Sequence, residues 1–387
     1  MAADFTKRAL NLRHNLSKLV FEIGMEAKMK IVAYTPDRYA DLKKFTNEII
    51  KPNYITIQES FFKWQFLDAA RILRAADEGL FLAIDEEKTI QAISLASKTP
   101  MWMEGRESLG VWHHEWFTKP GTRGLGSDLV KHHLERNSFF GLAGQSLHAG
   151  IALQRLAPMA WFQLKRLLFP ISPEATFAMM KTTDHHPLKF LKGMEISERN
   201  CTFKKLQEFD EKYSQFWETL RQEFTVCTNR TAEYMTWRYL RHPLFQYEIM
   251  QAETPGGLCV YVWREEPVRG ERFNVLRMCD VLGSPEAIEQ SFGALLMGPM
   301  SEDPATALVD FYGSHAETLA ALKKAGMRES ITLPDFDVPR LFSPLAQDIR
   351  KTINVSFLSQ ELSRENFFQE SKMYFTKGDA NQDRPNP

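Results

Sequence analysis

The residues best suited to chemistry in this chain of 387 lie together between Val111 and Glu135, in VWHHEWFTKPGTRGLGSDLVKHHLE. Two imidazoles and a carboxylate, His113, His114 and Glu115, occupy an aromatic stretch that reads as a strand ending near Pro120. Alternation along a strand is expected to put His113 and Glu115 on one face and His114 and Trp116 on the other. Either His113 or Glu115 could take a proton as a general base, and Trp and Phe neighbours favour Glu115 through a raised pKa. The turn after the strand, Gly121-Thr122-Arg123-Gly124-Leu125-Gly126, frees backbone N–H groups from side-chain cover, and Ser127 or Asp128 is placed to cap the helix behind it. A glycine turn opening a helix suits a phosphate or pyrophosphate, because free amides and the positive end of the helix dipole converge there. The expected anion-binding set is residues 121–127, with Phe117 and Thr118 at the strand end before it.

Other constellations are weaker. The adjacent pairs His113-His114, His132-His133 and His185-His186 point their rings in different directions, so no metal site is expected. No Gly-x-Ser-x-Gly elbow supports a serine hydrolase. Asp310, Ser314, His315 and Glu317 sit where a strand meets a helix, and Ser314 with Glu317 has the spacing of a capping box.

Around the central stretch the apolar periodicity predicts alternating strands and helices. Residues 5–28 form a basic amphipathic helix with Leu12, Leu16, Leu19 and Ile23 on one face, which could pack on its own domain or lie on a membrane surface. From Met29 the predicted order is β, α, α, β, β, β, α, β, α, β, a mixed α/β sheet. Turn residues between Pro170 and Asn200 predict a linker. A second pass begins beyond it: helices over 209–224 and 231–240, strands at 247–252, 257–263 and 273–281, a helix at 285–296, a strand at 307–312 and a helix over 316–325 closed by Gly326. A last strand is predicted at 353–358. The tail KGDANQDRPNP is too polar to fold alone.

Composition is that of an ordinary soluble globular protein, with 44% hydrophobic and 25% charged residues. A net charge of −1 gives no field to attract nucleic acid. No apolar run reaches the roughly 20 residues a membrane span needs, and the N-terminus lacks a signal-peptide pattern. Cys201, Cys227, Cys259 and Cys279 form no Cys-x-x-Cys pair, which fits reduced thiols in a cytoplasmic protein.

The two passes share a local signature. FFKWQFL at residues 61–67 aligns with YMTWRYL at 234–240, placing Trp64 on Trp237. A domain-sized offset with the same element order on both sides points to a duplicated fold.

In element order and in its glycine turn the chain resembles a tandem member of the GNAT superfamily of acyl-CoA N-acyltransferases. The resemblance implies two GNAT-like α/β domains. Residues 29–175 would carry the acyl-CoA site and 201–345 a degenerate copy. Around them lie the helix of 1–28, a linker at 176–200, and a C-terminal strand and polar tail at 346–387. In that family the strand before the turn splays from its neighbour and lends amides to the pantetheine and thioester, while a turn of pattern Arg/Gln-x-x-Gly-x-Gly/Ala holds the pyrophosphate. Gly124 and Gly126 match the two small positions. Gly121 replaces the Arg/Gln, and Arg123 stands close enough to supply the charge. The family's thiolate-protonating tyrosine is replaced by Gln154 here and by Leu322 in the second half, which also lacks a glycine-rich turn.

The resemblance implies transfer of an acetyl or similar group from acetyl-CoA, or another acyl-CoA, to a small-molecule primary amine. The run WRYLRHP at 237–243 and the tail from Thr376 are similar to tandem GNAT-like proteins of bacterial surface-polysaccharide contexts, which suggests an amino sugar as acceptor. A non-catalytic scaffold of the same fold and an aminoacyl-tRNA-dependent transferase are the alternatives.

Overall fold

The computed structural model describes residues 29–122, 124–145, 147–157, 159–180, 201–332, 338–339, 342, 351–359, 361–363, 365–366, 369–380 and 382–383. The predicted helix at 5–28, most of the predicted linker and Arg123 lie outside the described residues.

The first half runs β1 (Lys30–Ala33), α1 (Tyr39–Ile49), α2 (59–72), β2 (Leu80–Ile84), β3 (Ile90–Met103), β4 (Arg106–Thr118), α3 (Leu125–Leu134), β5 (Phe139–Ala143), α4 (Leu147–Leu156), β6 (Ala160–Pro170) and α5 (Pro173–Met180). The second half runs β7 (Thr202–Lys205), α6 (Glu211–Leu220), β8 (Val226–Thr228), α7 (232–240), β9 (Glu248–Thr254), β10 (Gly257–Pro267), β11 (Asn274–Gly283), α8 (Pro285–Met297), β12 (Thr306–Gly313), α9 (Ala316–Lys324) and β13 (Arg328–Glu329). Two more strands, β14 (Thr352–Ser359) and β15 (Met373–Tyr374), complete the chain. The predicted order of elements is present in both halves; α5, which lies in the stretch predicted as a linker, and β7, β8, β13 and β15 are additions to it.

All fifteen strands join one mixed sheet, ordered β1-β2-β3-β4-β5-β14-β6-β12-β11-β10-β9-β7 along its main path. The continuity comes from β6. Over residues 160–165 it pairs antiparallel with β14, and over 165–170 it pairs antiparallel with β12 of the second half. In turn β14, a C-terminal strand, pairs with β5 of the first half. Each half-sheet is thus completed by a strand from the other end of the chain. Strands β11 and β12 are buried along nearly their whole length, as expected for parallel neighbours covered on both faces.

The shared tryptophan signature marks the seam between the halves. Both α2 and α7 widen into a π-helical turn, at Lys63–Asp68 and Thr236–Leu240, and each widened turn carries the tryptophan. The rings of Trp64 and Trp237 stack at 4.9 Å with 19° between planes. Trp64 Nε1 donates to the Trp237 carbonyl at 3.0 Å, and Trp237 Nε1 donates to the Trp64 carbonyl at 3.0 Å. A π-turn leaves carbonyls that an α-helix would have used, and here each is taken by the opposite indole. The contact is reciprocal, as a local two-fold relation between the helices requires.

Candidate active site

The strand β4 does not alternate as its sequence suggests. Its pairing with β3 sets Ala96 opposite His113 and Leu95 opposite Glu115, so His114 is an extra residue, a β-bulge. The bulge shifts the faces by one. His113 and Trp116 face α3, where the His113 ring lies 5.6 Å from His133 and Trp116 meets Gly126. His114 and Glu115 both face α2 and the loop before it. The expectation that His113 and Glu115 share a face is therefore incorrect.

Their environments differ accordingly. His113 is buried, its Nε2 2.7 Å from Ser94 Oγ, and burial holds its pKa down to about 3. It stays neutral near pH 7. His133 beside it is also held well below its ordinary value, mainly by burial. Glu115 is buried too, and it meets two hydroxyls. It accepts from Tyr54 at 2.7 Å and from Thr56 at 2.9 Å. His114 Nε2 lies 2.5 Å from Ser97 Oγ. Tyr54 and Thr56 are functional candidates that sequence reasoning missed. They stand 61 and 59 residues from Glu115, in a loop without a motif of its own.

Beyond the bulge β4 leaves its parallel neighbour. Pairing with β5 ends at His113 opposite Leu142. β4 then continues on β3 alone, as far as Thr118 opposite Ala92, while β5 stays with β14. A V-shaped cleft opens between them, and along its β4 edge no strand among the described residues pairs with Trp116, Phe117 and Thr118 on that side. Such an edge presents amide and carbonyl groups to whatever enters the cleft.

The glycine turn closes the β4 arm. Lys119 N donates to the Gln91 carbonyl at 2.8 Å, and Thr122 folds back so that its Oγ1 donates to the Lys119 carbonyl at 2.6 Å. Gly121 and Gly124 take φ of +89° and +88°, the left-handed region that side chains resist, and face open space. Gly126 serves a different purpose: a Cβ there would stand 2.5 Å from Trp116 Nε1. Gly124 itself is the helix N-cap and offers no side-chain cap, while Asp128 N bonds back to its carbonyl at 3.1 Å. Ser127 and Asp128 lie inside α3 and do not cap it, contrary to expectation. The first amides of a ten-residue helix are thus left available to an anion. Gln154, at the position where the resemblance implies a tyrosine, donates its Nε2 to the Met159 carbonyl at 3.2 Å and has no acidic proton to offer.

The second half repeats the geometry with a different outcome. Pairing between β11 and β12 ends at Met278 opposite Phe311, and β11 continues on β10 alone. This V is filled by residues 373–380, 382 and 383 of the same chain. On the β12 arm Thr376 bridges to Gly313, Ser314 N donates to the Phe375 carbonyl at 3.0 Å, and Lys377 N donates to the Tyr312 carbonyl at 3.2 Å. On the β11 arm Thr376 Oγ1 donates to the Cys279 carbonyl at 2.6 Å and Tyr374 Oη to the Val281 carbonyl at 2.8 Å. The tail ends in buried ion pairs. Arg230 holds both Asp379 and Asp280, and Asp383 accepts from Arg264 at 2.9 Å and from Tyr247 at 2.7 Å. A tail expected to be too polar to fold alone is folded here because its charges have partners.

Asp310 belongs to the same buried network, bonded by Arg166 and Arg277. The cap of α9 is His315, whose side chain accepts from Thr318 N, and not Ser314, whose Oγ donates to the Met373 carbonyl at 2.7 Å. At the head of α8, Ser284 caps with its own hydroxyl, accepting from Ala287 N. The four cysteines are unpaired. Among the described residues no group of His, Cys, Asp or Glu could hold a metal ion, and no helix is long and apolar enough to cross a membrane.

No family model and no curated protein sequence matches the chain. Solved structures do resemble it. A GCN5-related N-acetyltransferase from Anabaena variabilis is 12% identical with a TM-score of 0.54, covering 85% of this chain and 72% of its own. A probable N-acyltransferase from Enterococcus faecalis is 10% identical, also at 0.54, with the same coverage. The Saccharomyces cerevisiae N-myristoyltransferase with bound myristoyl-CoA is 10% identical at 0.51, covering 87% of this chain and 79% of its own. The fold is that of GCN5-related N-acetyltransferases. At these identities the likeness speaks for the fold alone.

Proposed function

We propose that the chain is an acyl-CoA-dependent N-acyltransferase with a single working cleft, the V between β4 and β5. The observation that carries this is a coincidence of place: the cleft runs to a turn with two left-handed glycines and an uncapped helix start. Two acyl-transferring neighbours of the same fold add support, one of them holding myristoyl-CoA.

In this proposal Phe117 and Thr118 offer their backbone to the pantetheine and thioester. Gly121, Thr122, Arg123, Gly124, Leu125, Gly126 and Ser127 surround the pyrophosphate. Backbone amides on the β4 edge polarise the thioester carbonyl. Glu115 is the general base, oriented by Tyr54 and Thr56. His113, neutral and turned toward α3, supports the strand. The acceptor amine loses a proton toward Glu115 and attacks the carbonyl carbon. A C–N bond forms, the C–S bond breaks, and the thiolate takes its proton from solvent, since Gln154 supplies none.

The first half, 29–175, would do the chemistry, with 201–345 a degenerate copy that shapes the acceptor side and 346–387 serving both. The acceptor would be a small primary amine, with an amino sugar of polysaccharide synthesis the leading candidate and acetyl the leading acyl group. Unpaired thiols fit a cytoplasmic setting, and the basic amphipathic pattern of the sequence over 5–28 suits peripheral membrane contact. The competing reading, a non-catalytic scaffold, draws its support from Gln154.

The test is a calorimetric titration of acetyl-CoA against the wild type and a Gly124→Glu variant, followed by turnover of Glu115→Gln on an amine panel. The proposal expects binding abolished by Gly124→Glu. It also expects turnover about 100-fold lower in Glu115→Gln with acetyl-CoA affinity unchanged. Absence of binding by the wild type would favour the scaffold.

A further inference from the structure

The tail that fills the second cleft also reaches the first. Gln382 lies one residue before Asp383, which is clamped by Arg264 and Tyr247, and three beyond Asp379, which Arg230 holds through both oxygens. From this fixed base Gln382 Nε2 donates to the carbonyl of Ala143 at 2.8 Å. Ala143 is the last residue of β5, just past the point where β5 parts from β4. The next residue, Gly144, has φ of +71° and donates its N–H to the Asn354 carbonyl at 2.7 Å. A Cβ on Gly144 would lie 2.6 Å from the Gln382 amide, so the glycine admits the side chain.

The β5 arm of the open cleft is therefore pinned from two sides, by β14 and by the tail. The β4 arm is pinned by β3 and by the bonds of Lys119 and Thr122. We infer that Gln382 is a positioning residue for the acyl-CoA cleft: the segment occupying the second cleft helps fix the gap of the first, with Phe375 against Trp112 and Phe139 at its base and Gln382 at the end of β5. This rests on the proposal that acyl-CoA binds between β4 and β5. It adds that a residue remote in sequence, touching neither the thioester nor the glycine turn, sets the affinity for it.

The chemistry required is modest. One N–H donor holds one carbonyl at the end of a strand whose other edge is paired with β14. A net hydrogen bond of this kind corresponds to roughly a three- to ten-fold change in a binding constant. Because the second cleft already holds the tail, one acyl-CoA per chain is expected.

The experiment is a calorimetric titration of acetyl-CoA into the full-length chain as wild type, Gln382→Ala and Gln382→Glu, with thermal unfolding recorded for each. Expected are one site in the wild type, three- to ten-fold weaker binding in both variants, and melting temperatures unchanged. Hydrogen exchange of the amides at 142–145 should quicken in both. KM for acetyl-CoA should rise while kcat holds, a split that mere loss of stability would not give. Wild-type affinity and unchanged exchange in Gln382→Ala would overturn the role of Gln382 and leave the acyl-CoA proposal standing. Two molecules bound per chain would overturn the occupied second cleft. No binding by the wild type would overturn the acyl-CoA proposal and this inference with it.

Discussion

The two clefts begin alike and end differently. In each, a pair of parallel strands parts after a few rungs, at His113 and Leu142 in the first half and at Met278 and Phe311 in the second. The residues just past the leading strand decide the outcome. After β4 come two left-handed glycines and a helix start that no side chain caps; after β11 comes Ser284, which caps its own helix. The first cleft has a β4 edge that no strand among the described residues pairs with, and the second gives its backbone to residues 375–377. A splayed sheet is therefore only an opportunity. It becomes a binding site when nothing in the same chain satisfies its free edge.

The largest expected effect tests whether the occupied cleft is core. Asp383→Ala takes the carboxylate from Arg238 and leaves Arg264 with Glu266 alone in a buried site, and the loss of one partner from such a group costs about 3–5 kcal/mol. Urea unfolding should register this as a fall in midpoint. A variant of native stability would show the tail to be an appendage and dissolve the contrast between the clefts.

Next in size, taken one histidine at a time, is a dependence on acid that both halves share. Burial holds His113 and His242 at about 3 and His315 at about 4. These pKa values are depressed below the unfolded value near 6.5, so between the two the unfolded chain binds protons that the folded chain refuses. Stability is full above about pH 6.5 and falls as pH drops toward 4, by about 1.4 kcal/mol per pH unit for each histidine. Unfolding curves from pH 7 to 4.5 should show the slope. His315→Asn, which keeps a capping side chain, should remove one histidine's share. An unchanged slope would place the titration elsewhere.

The smallest effect probes the seam. Trp64→Phe and Trp237→Phe each delete one indole donor and leave a carbonyl unmet, at about 1–2 kcal/mol. If the contact is two-fold, the two losses should be equal. The double variant should fall short of their sum by about 0.5–1 kcal/mol, because the rings stack on each other. Unequal losses would mean the likeness of the halves stops at their backbones.

Much of the architecture was legible in the sequence. Apolar periodicity located the strands and helices, and the glycine turn and the Trp64–Trp237 correspondence stood out as motifs. The site was harder to read for definable reasons. A bulge has no marker in an alternating pattern, so His114 could not be recognised as the extra residue, and the faces of His113 and Glu115 came out wrong. Tyr54 and Thr56 reach Glu115 through the fold and not through spacing. The tail reads as unable to fold alone, and its charges give no sign of the partners they find. Asp379 and Asp383 are buried only because Arg230, Arg238 and Arg264 are buried with them. At the start of α9, two neighbouring residues could each cap, and only the pull of Met373 and Phe375 on Ser314 leaves the task to His315.

The placement of β14 has a consequence for synthesis. Gln145 and Ser356, hydrogen-bonded in the finished sheet, are 211 residues apart, with the whole second half between them. A ribosome delivering the chain from its N-terminus makes β5 long before the strand that lies beside it. Until residues 352–359 emerge, one edge of β5 has no strand to pair with, and such edges invite wrong partners. The first cleft is thus among the first parts of the molecule to be made and among the last to be finished. Its assembly waits on a long-range closure of the kind that folds slowly.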